Sequence, residues 1–101
     1  MYIYLIQSLE DGYYKIGKSK NPNKRINQLQ TGNSSELKLI TIYRSDLSNK
    51  IERTLHRKYS HLKKEGEWFD LSIKEEVEFQ EECKKIEDNL IILKENNNIF
   101  I

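Results

Sequence analysis

Apolar residues crowd the start of the chain and then change period. "YIYLIQS" (2–8) is rich in aromatic and β-branched residues and reads as a strand. "EDG" (10–12) is a hairpin turn signal, and "YYKIGK" (13–18) reads as the return strand. Asn21 suits a helix cap and Pro22 the first helical position, with Ile26 and Leu29 facing a core and "TGNSS" (31–35) closing the helix. "LKLITIYR" (37–44) alternates as a third strand. The period then becomes helical over 45–62, where Ile51, Leu55, Tyr59 and Leu62 fall on one stripe. "KEGE" is a turn and "WFDL" (68–71) a short extended piece.

Ser72 followed by Glu75 forms a capping box that opens a last helix through about Leu93. Its apolar positions, Ile73, Val77, Phe79, Ile86, Leu90 and Leu93, make a thin stripe. Residues 94–101 are polar and then apolar, and read as a loosely docked tail. The pattern as a whole is α+β.

A chain of 101 residues supports one small domain with a modest core. No apolar run reaches the roughly 18 residues of a membrane span, so no membrane partner is expected. Residues 1–7 are too short, and lack the basic start, for a signal peptide, which makes an intracellular location the expectation. Cys83 is the sole cysteine, which excludes an internal disulfide and a cysteine-based metal site.

The net charge of +1 hides an asymmetry. Residues 1–64 carry 13 Lys and Arg against 5 Asp and Glu, a balance of +8. Residues 65–101 carry 4 against 11, a balance of −7. A basic body suggests a polyanion partner, and the acidic remainder either packs on the sheet or shields the basic face.

The hairpin decides which side chains share a face. A two-residue turn at Asp11-Gly12 pairs Ser8 with Lys15, Ile6 with Gly17 and Tyr4 with Ser19. Tyr4, Ile6, Lys15 and Gly17 then share one face, and Ile3, Leu5, Tyr14 and Ile16 the other. A four-residue loop is expected to give the same register; a three-residue loop inverts the result. Tyr14 is therefore a core residue, and Gly17 leaves its face open to something approaching the backbone. On the second helix Glu52 and His56, four apart, lie side by side at the border of the apolar stripe. An ordinary surface pair would look the same.

These residues resemble the GIY-YIG nuclease family. Its first signature strand corresponds to Tyr2-Ile3-Tyr4, its second to Lys15-Ile16-Gly17, its helix arginine to Arg25 and its metal-binding glutamate to Glu52. The "EWF" ending is similar to that of a short phage- and virus-type branch. The likeness covers roughly residues 1–72, leaving 73–101 as an acidic helix and tail packed on the same domain. Two positions depart from the pattern: Tyr2 stands for the first glycine, and Lys15 for the second motif's tyrosine. The usual terminal asparagine is not evident, and Glu67 and Trp68 occupy its region.

The resemblance implies a small central antiparallel three-stranded sheet flanked by helices. It implies a metal-dependent endonuclease acting on nucleic acid, DNA before RNA, in a phage or mobile element. Glu52 would hold Mg2+ (or Mn2+), which needs few protein ligands. Tyr4 would orient or deprotonate the attacking water, with Lys15 and Arg25 supplying positive charge beside it. Lys15 and Arg25 would also contact the phosphate, and His56 would pass a proton or bond a phosphate oxygen. Lys18, Lys20 and Lys24 would steer the backbone of the nucleic acid, with Gly17 lying beneath it. An inert nucleic-acid-binding module on the same fold, or a protein-interaction domain using the acidic helix, are the other classes that fit the sequence.

Overall fold

The computed structural model describes residues 1–96. The apolar end of the tail, 99–101, lies outside the described residues. Strands β1 (Tyr2–Ser8), β2 (Tyr14–Ser19), β3 (Leu37–Arg44) and β4 (Trp68–Phe69) form one antiparallel sheet in the order β3-β1-β2-β4. The expected three strands gain a fourth, because "WF" pairs with the start of β2 through Tyr14–Phe69 and Lys15–Trp68. Gly66, at φ 61, turns the chain so that Lys64 N–H donates to the Trp68 carbonyl at 2.7 Å. That tight return holds β4 in place and sets Glu67 at its tip.

β1 is central and covered on both sides, so Ile3, Tyr4, Leu5 and Ile6 are all buried. This explains why the stretch reads as a near-continuous apolar run rather than an alternating one. On one face Ile3, Leu5, Tyr14 and Ile16 pack beneath helix α2 (Ser48–Lys58), through Ile51 and Leu55, and beneath Tyr59. On the other, Tyr4, Ile6 and Leu37 pack beneath Ile26 and Leu29 of helix α1 (Pro22–Thr31). Asn21 caps α1, its side chain accepting from Lys24 N–H, with Pro22 in the first turn. An irregularity opposite Leu5 and Ile6 shifts the β3 register, so Leu39 joins the Tyr4 side while Tyr43 joins the other.

The hairpin register differs from the two-residue expectation. Tyr4 pairs with Gly17 and Ile6 with Lys15, while Ser8 N–H donates to the Tyr13 carbonyl across a four-residue loop. Distant ties override the local turn signal. Leu9 N–H donates to the Glu36 carbonyl and Glu10 N–H to Ser35 Oγ, drawing the loop toward the α1–β3 connection. The shift is two residues, so every side chain keeps its face.

The last helix is two. Helix α3 (Ile73–Val77) opens with the capping box of Ser72 and Glu75, and helix α4 (Phe79–Glu95) follows a break at Glu78. Ile73 and Val77 are 77% and 73% exposed, and Leu93 is exposed, so these three are not core residues as the stripe suggested. Phe79 and Ile86 of that stripe are buried as expected, together with Cys83, in the same cluster as Ile3 and Leu5. The stripe is real only from α4 onward, where the helix docks on α2 and β3. Cys83 is buried and free, and burial pushes its thiol up to about 12.

Candidate nucleic-acid interface

The open edge of β2 organises the candidate residues. β4 covers that edge only at Tyr14 and Lys15, so among the described residues no strand pairs with it from Ile16 onward. α2 runs alongside. His56 Nε2–H donates to the Ile16 carbonyl at 2.8 Å, and Glu52 Oε1 lies 4.0 Å from Lys18 Nζ. The match is metrical. Four helical residues advance about 6 Å and two strand residues about 6.6 Å, so one turn of α2 keeps step with Ile16 and Lys18.

His56 is more constrained than a free proton carrier. A carbonyl only accepts, so the Nε2 proton is committed to Ile16 and Nδ1 is the nitrogen left over. Its ring also stands edge-on to Phe69, centroids 5.0 Å apart at 81°. His56 thus locks α2 against the strand edge and sets the height of Glu52 one turn away.

Lys15 projects from the opposite face, as alternation requires. Its Nζ sits 5.7 Å from the centre of the Trp68 ring and 2.8 Å from Glu67 Oε2. Its side chain is only 12% exposed, against 60% for Glu67. The Lys15 hydrogen bond holds the Glu67 carboxyl below the usual carboxylate range. Partial burial opposes that, and the charges of Lys15, His56 and Arg25 add to it. Lys15 is the group in contact with that carboxylate; His56 on α2 and Arg25 on α1 act on it through charge alone. Arg25 is exposed on α1, with Lys20 and Lys24 exposed nearby in sequence.

Tyr4 is 2% exposed, and its ring lies across Gly17. A Cβ at position 17 would sit 2.2 Å from the Tyr4 hydroxyl oxygen and 2.4 Å from Cζ. The space over Gly17 is therefore taken by Tyr4 and not left for an incoming backbone. What the glycine permits is the reach of a β1 phenol across β2 toward the open edge. Tyr14 faces the other way. Its hydroxyl donates to Glu76 Oε1 at 2.8 Å, and burial, aided by Glu76, pushes it up to about 12. A buried phenol held protonated in this way is a poor base, so Tyr14 does not substitute for the motif tyrosine replaced by Lys15.

The acidic C-terminal segment is engaged elsewhere. Glu82 pairs with Lys58 at 2.5 Å, and Glu87 accepts from Tyr43 and Ser45. Among the described residues the segment's ion pair with the basic strand β2 is that of Glu67, and no ion pair joins α4 to Lys18, Lys20 or Arg25. α4 is thus fastened to the α2 and β3 side by packing and hydrogen bonds, not laid over the basic face.

A single carboxylate, Glu52, faces the open edge beside Lys18. Among the described residues no group of three His, Cys, Asp or Glu side chains is gathered to hold a metal ion. Hard carboxylate oxygen suits magnesium, which retains water and takes its remaining ligands from a bound phosphate, so the residues fit a weakly held, substrate-completed ion.

The T5orf172 domain profile matches residues 1–88 of the 101. The chain belongs to the T5orf172 domain family. The match runs through α3 and most of α4's core positions, beyond the residue 72 at which the sequence resemblance stopped. A relative, the protein 315L of Invertebrate iridescent virus 6, described as KilA-N domain-containing, is 32% identical over 75 residues. The aligned part is 69% of this chain and 32% of the viral protein, so the chain spans about a third of that relative's length. No solved structure matches. T5orf172 domains occur in phage and viral proteins and are associated with endonuclease-like, nucleic-acid-binding modules. No helix of the described T5orf172 domain is long and apolar enough to cross a membrane.

Glu67 is the residue that sequence reasoning passed over. Its only signal was its place immediately before Trp68, in the region of the missing asparagine. Which side chain it meets depends on the pairing of Lys15 with Trp68, across a strand of two residues.

Proposed function

We propose that this T5orf172 domain is a metal-dependent endonuclease of GIY-YIG type that hydrolyses phosphodiester bonds, DNA before RNA. One observation carries the reading. Lys15 is hydrogen-bonded to the Glu67 carboxylate at 2.8 Å at the end of β4, beside the open edge of β2 where Glu52 lies 4.0 Å from Lys18. A phosphate entering that edge meets the same cations. The guanidinium of Arg25 offers two parallel donors to its oxygens, and Lys15 exchanges Glu67 for phosphate. Tyr4, pinned over Gly17, presents its phenol to the attacking water. His56 keeps Glu52 at the height of Lys18. Glu52 would hold a magnesium ion, which when bound would offer charge relief to the phosphoryl oxygens and a more acidic water. Lys18, Lys20 and Lys24 extend the cationic track along the backbone.

The test is purified protein with Mg2+ or Mn2+ on labelled single-stranded, duplex and branched DNA and the matching RNAs. Metal-dependent cleavage of at least one substrate is expected, with binding that weakens steeply as salt rises and depends little on sequence. Salt-sensitive binding without cleavage on any substrate would leave an inert binding module on the same fold. The Lys15–Glu67 pair is the observation that favours this second reading, since it occupies the departed tyrosine position.

Glu67→Gln separates competition from support. The substitution removes the internal anion and keeps the side chain's size. Nucleic-acid affinity should rise roughly two- to fivefold at low salt, the range open to an exposed pair. An affinity that falls would mean Glu67 holds Lys15 in its working position and does not compete with phosphate.

A further inference from the structure

A pocket of about 460 Å3 opens on the same face of the sheet as Lys15, at the hairpin end. Its aromatic walls are Tyr13 and Trp68. Tyr13 lies two residues before Lys15, about 6.6 Å along the strand, and alternation puts it on the same side. Trp68 is the residue paired with Lys15. The pocket therefore begins where the phosphate-binding residues end. It is also preformed. Ser8 and Ser35, both buried, share a 2.7 Å hydrogen bond at its base, and Glu10 N–H is tied to Ser35 Oγ. Its size lies within the usual range for small-molecule sites, about 300–1,000 Å3.

The charges choose what enters. Glu10, Asp11 and Glu65 stand on the lining against Lys64 as its one cation among the described residues, so the interior disfavours a phosphate. Lys64 sits over the Tyr13 ring, 5.7 Å from its centre, and Lys15 over Trp68 at the same distance. The cations thus hold the aromatic walls and lie toward the backbone's path. An uncharged planar group with a phosphate attached on the Lys15 side satisfies both features.

We infer that this pocket takes an unpaired nucleobase adjacent to the phosphate held at Lys15, so that the domain engages nucleic acid with at least one base out of the duplex. The inference rests on the nucleic-acid reading above and adds a substrate class to it: single-stranded, looped or branched nucleic acid.

Trp68 is the only tryptophan of the chain and reports on its own pocket. Wild-type protein in EDTA, where metal-dependent cleavage is silent, is titrated with single-stranded tetranucleotides, intact or abasic at one position in turn. Intact tetranucleotides should quench Trp68 emission. An abasic site at one position should weaken binding roughly tenfold, the scale of one stacked base. Tyr13→Ala should weaken binding of the intact strand by a similar factor and abolish the abasic penalty. Tyr13 makes only backbone hydrogen bonds, so the variant is expected to fold; thermal melting confirms it. Equal affinity for intact and abasic strands, or Trp68 emission unchanged at saturation, overturns the inference. So does quenching by a lysine-rich peptide with none by the tetranucleotides. Cleavage is scored separately with Mg2+: its absence beside an intact abasic penalty removes the nuclease reading and keeps the pocket.

Discussion

Gly17→Ala should destabilise the protein by about 1–3 kcal/mol, the cost of overpacking a filled site, and lower the midpoint of thermal unfolding by roughly 5–20 °C. The backbone conformation is not the reason, since positive φ is confined to Gly12 and Gly66 among the glycines. The reason is steric. The new Cβ would meet the Tyr4 hydroxyl at 2.2 Å, Cζ at 2.4 Å and Cε1 at 2.9 Å. The phenol ring is rigid and packed in one cluster with Ile6, Leu37, Ile26, Leu29 and Trp68, so it has little room to yield. The clash is with the far half of the ring, and Tyr4→Leu ends short of those atoms. In a double-mutant cycle Gly17→Ala should therefore cost much less in the Tyr4→Leu background than alone. Equal costs in both backgrounds, or a wild-type melting temperature for Gly17→Ala, would contradict the steric account. If Tyr4 acts on the attacking water, the displaced ring should also cost roughly 100-fold in cleavage rate, since a shift of about 1 Å carries that penalty. Cleavage unchanged in a folded Gly17→Ala protein would remove Tyr4 from the chemistry.

How much of this was readable before the fold is a matter of which signals were local. The faces of the hairpin were, because a two-residue turn and a four-residue loop have the same parity; Tyr14 in the core and Lys15 outside it follow from either. The pairing itself was not, because Leu9 and Glu10 are fixed by bonds to Glu36 and Ser35, residues some 25 positions away. The Glu52 and His56 relation was legible as helix spacing, whereas the bond from His56 to the Ile16 carbonyl needed the knowledge that β4 stops at Lys15. Gly17 was legible as a gap and misread as a gap for a ligand, since nothing in the sequence says which neighbour leans into it. The capping box at Ser72 was correct in itself, yet the same helical period continued through Ile73 and Val77, which stay exposed. Periodicity marks a face; it does not say that a partner covers it.

Glu52→Ala should leave the fold nearly untouched and reduce metal-dependent cleavage by roughly 1,000-fold or more, several kcal/mol of lost charge stabilisation. The structural cost is small because the side chain stands at the border of the core, 24% exposed, and its ion partner is Lys18 at a loose 4.0 Å. Exposed or half-exposed pairs of this kind contribute about 0–1 kcal/mol, so a change in melting temperature of only a few degrees is expected. The chemical cost is large because Glu52 is the carboxylate beside Lys18 on α2's side of the edge, Glu67 being placed on Lys15 instead, and among the described residues no acidic cluster replaces Glu52. Glu52→Gln should be as inactive as Glu52→Ala, which separates loss of charge from loss of bulk. Metal binding offers a readout independent of turnover. An ion that binds the folded state raises the melting temperature in proportion to its occupancy. Mn2+ should therefore stabilise the wild type and fail to stabilise either variant. Wild-type cleavage that persists in excess EDTA would remove the metal from the reaction. A Glu52→Ala protein as active as wild type would remove Glu52, and with it the reason for α2 to keep step with the edge of β2.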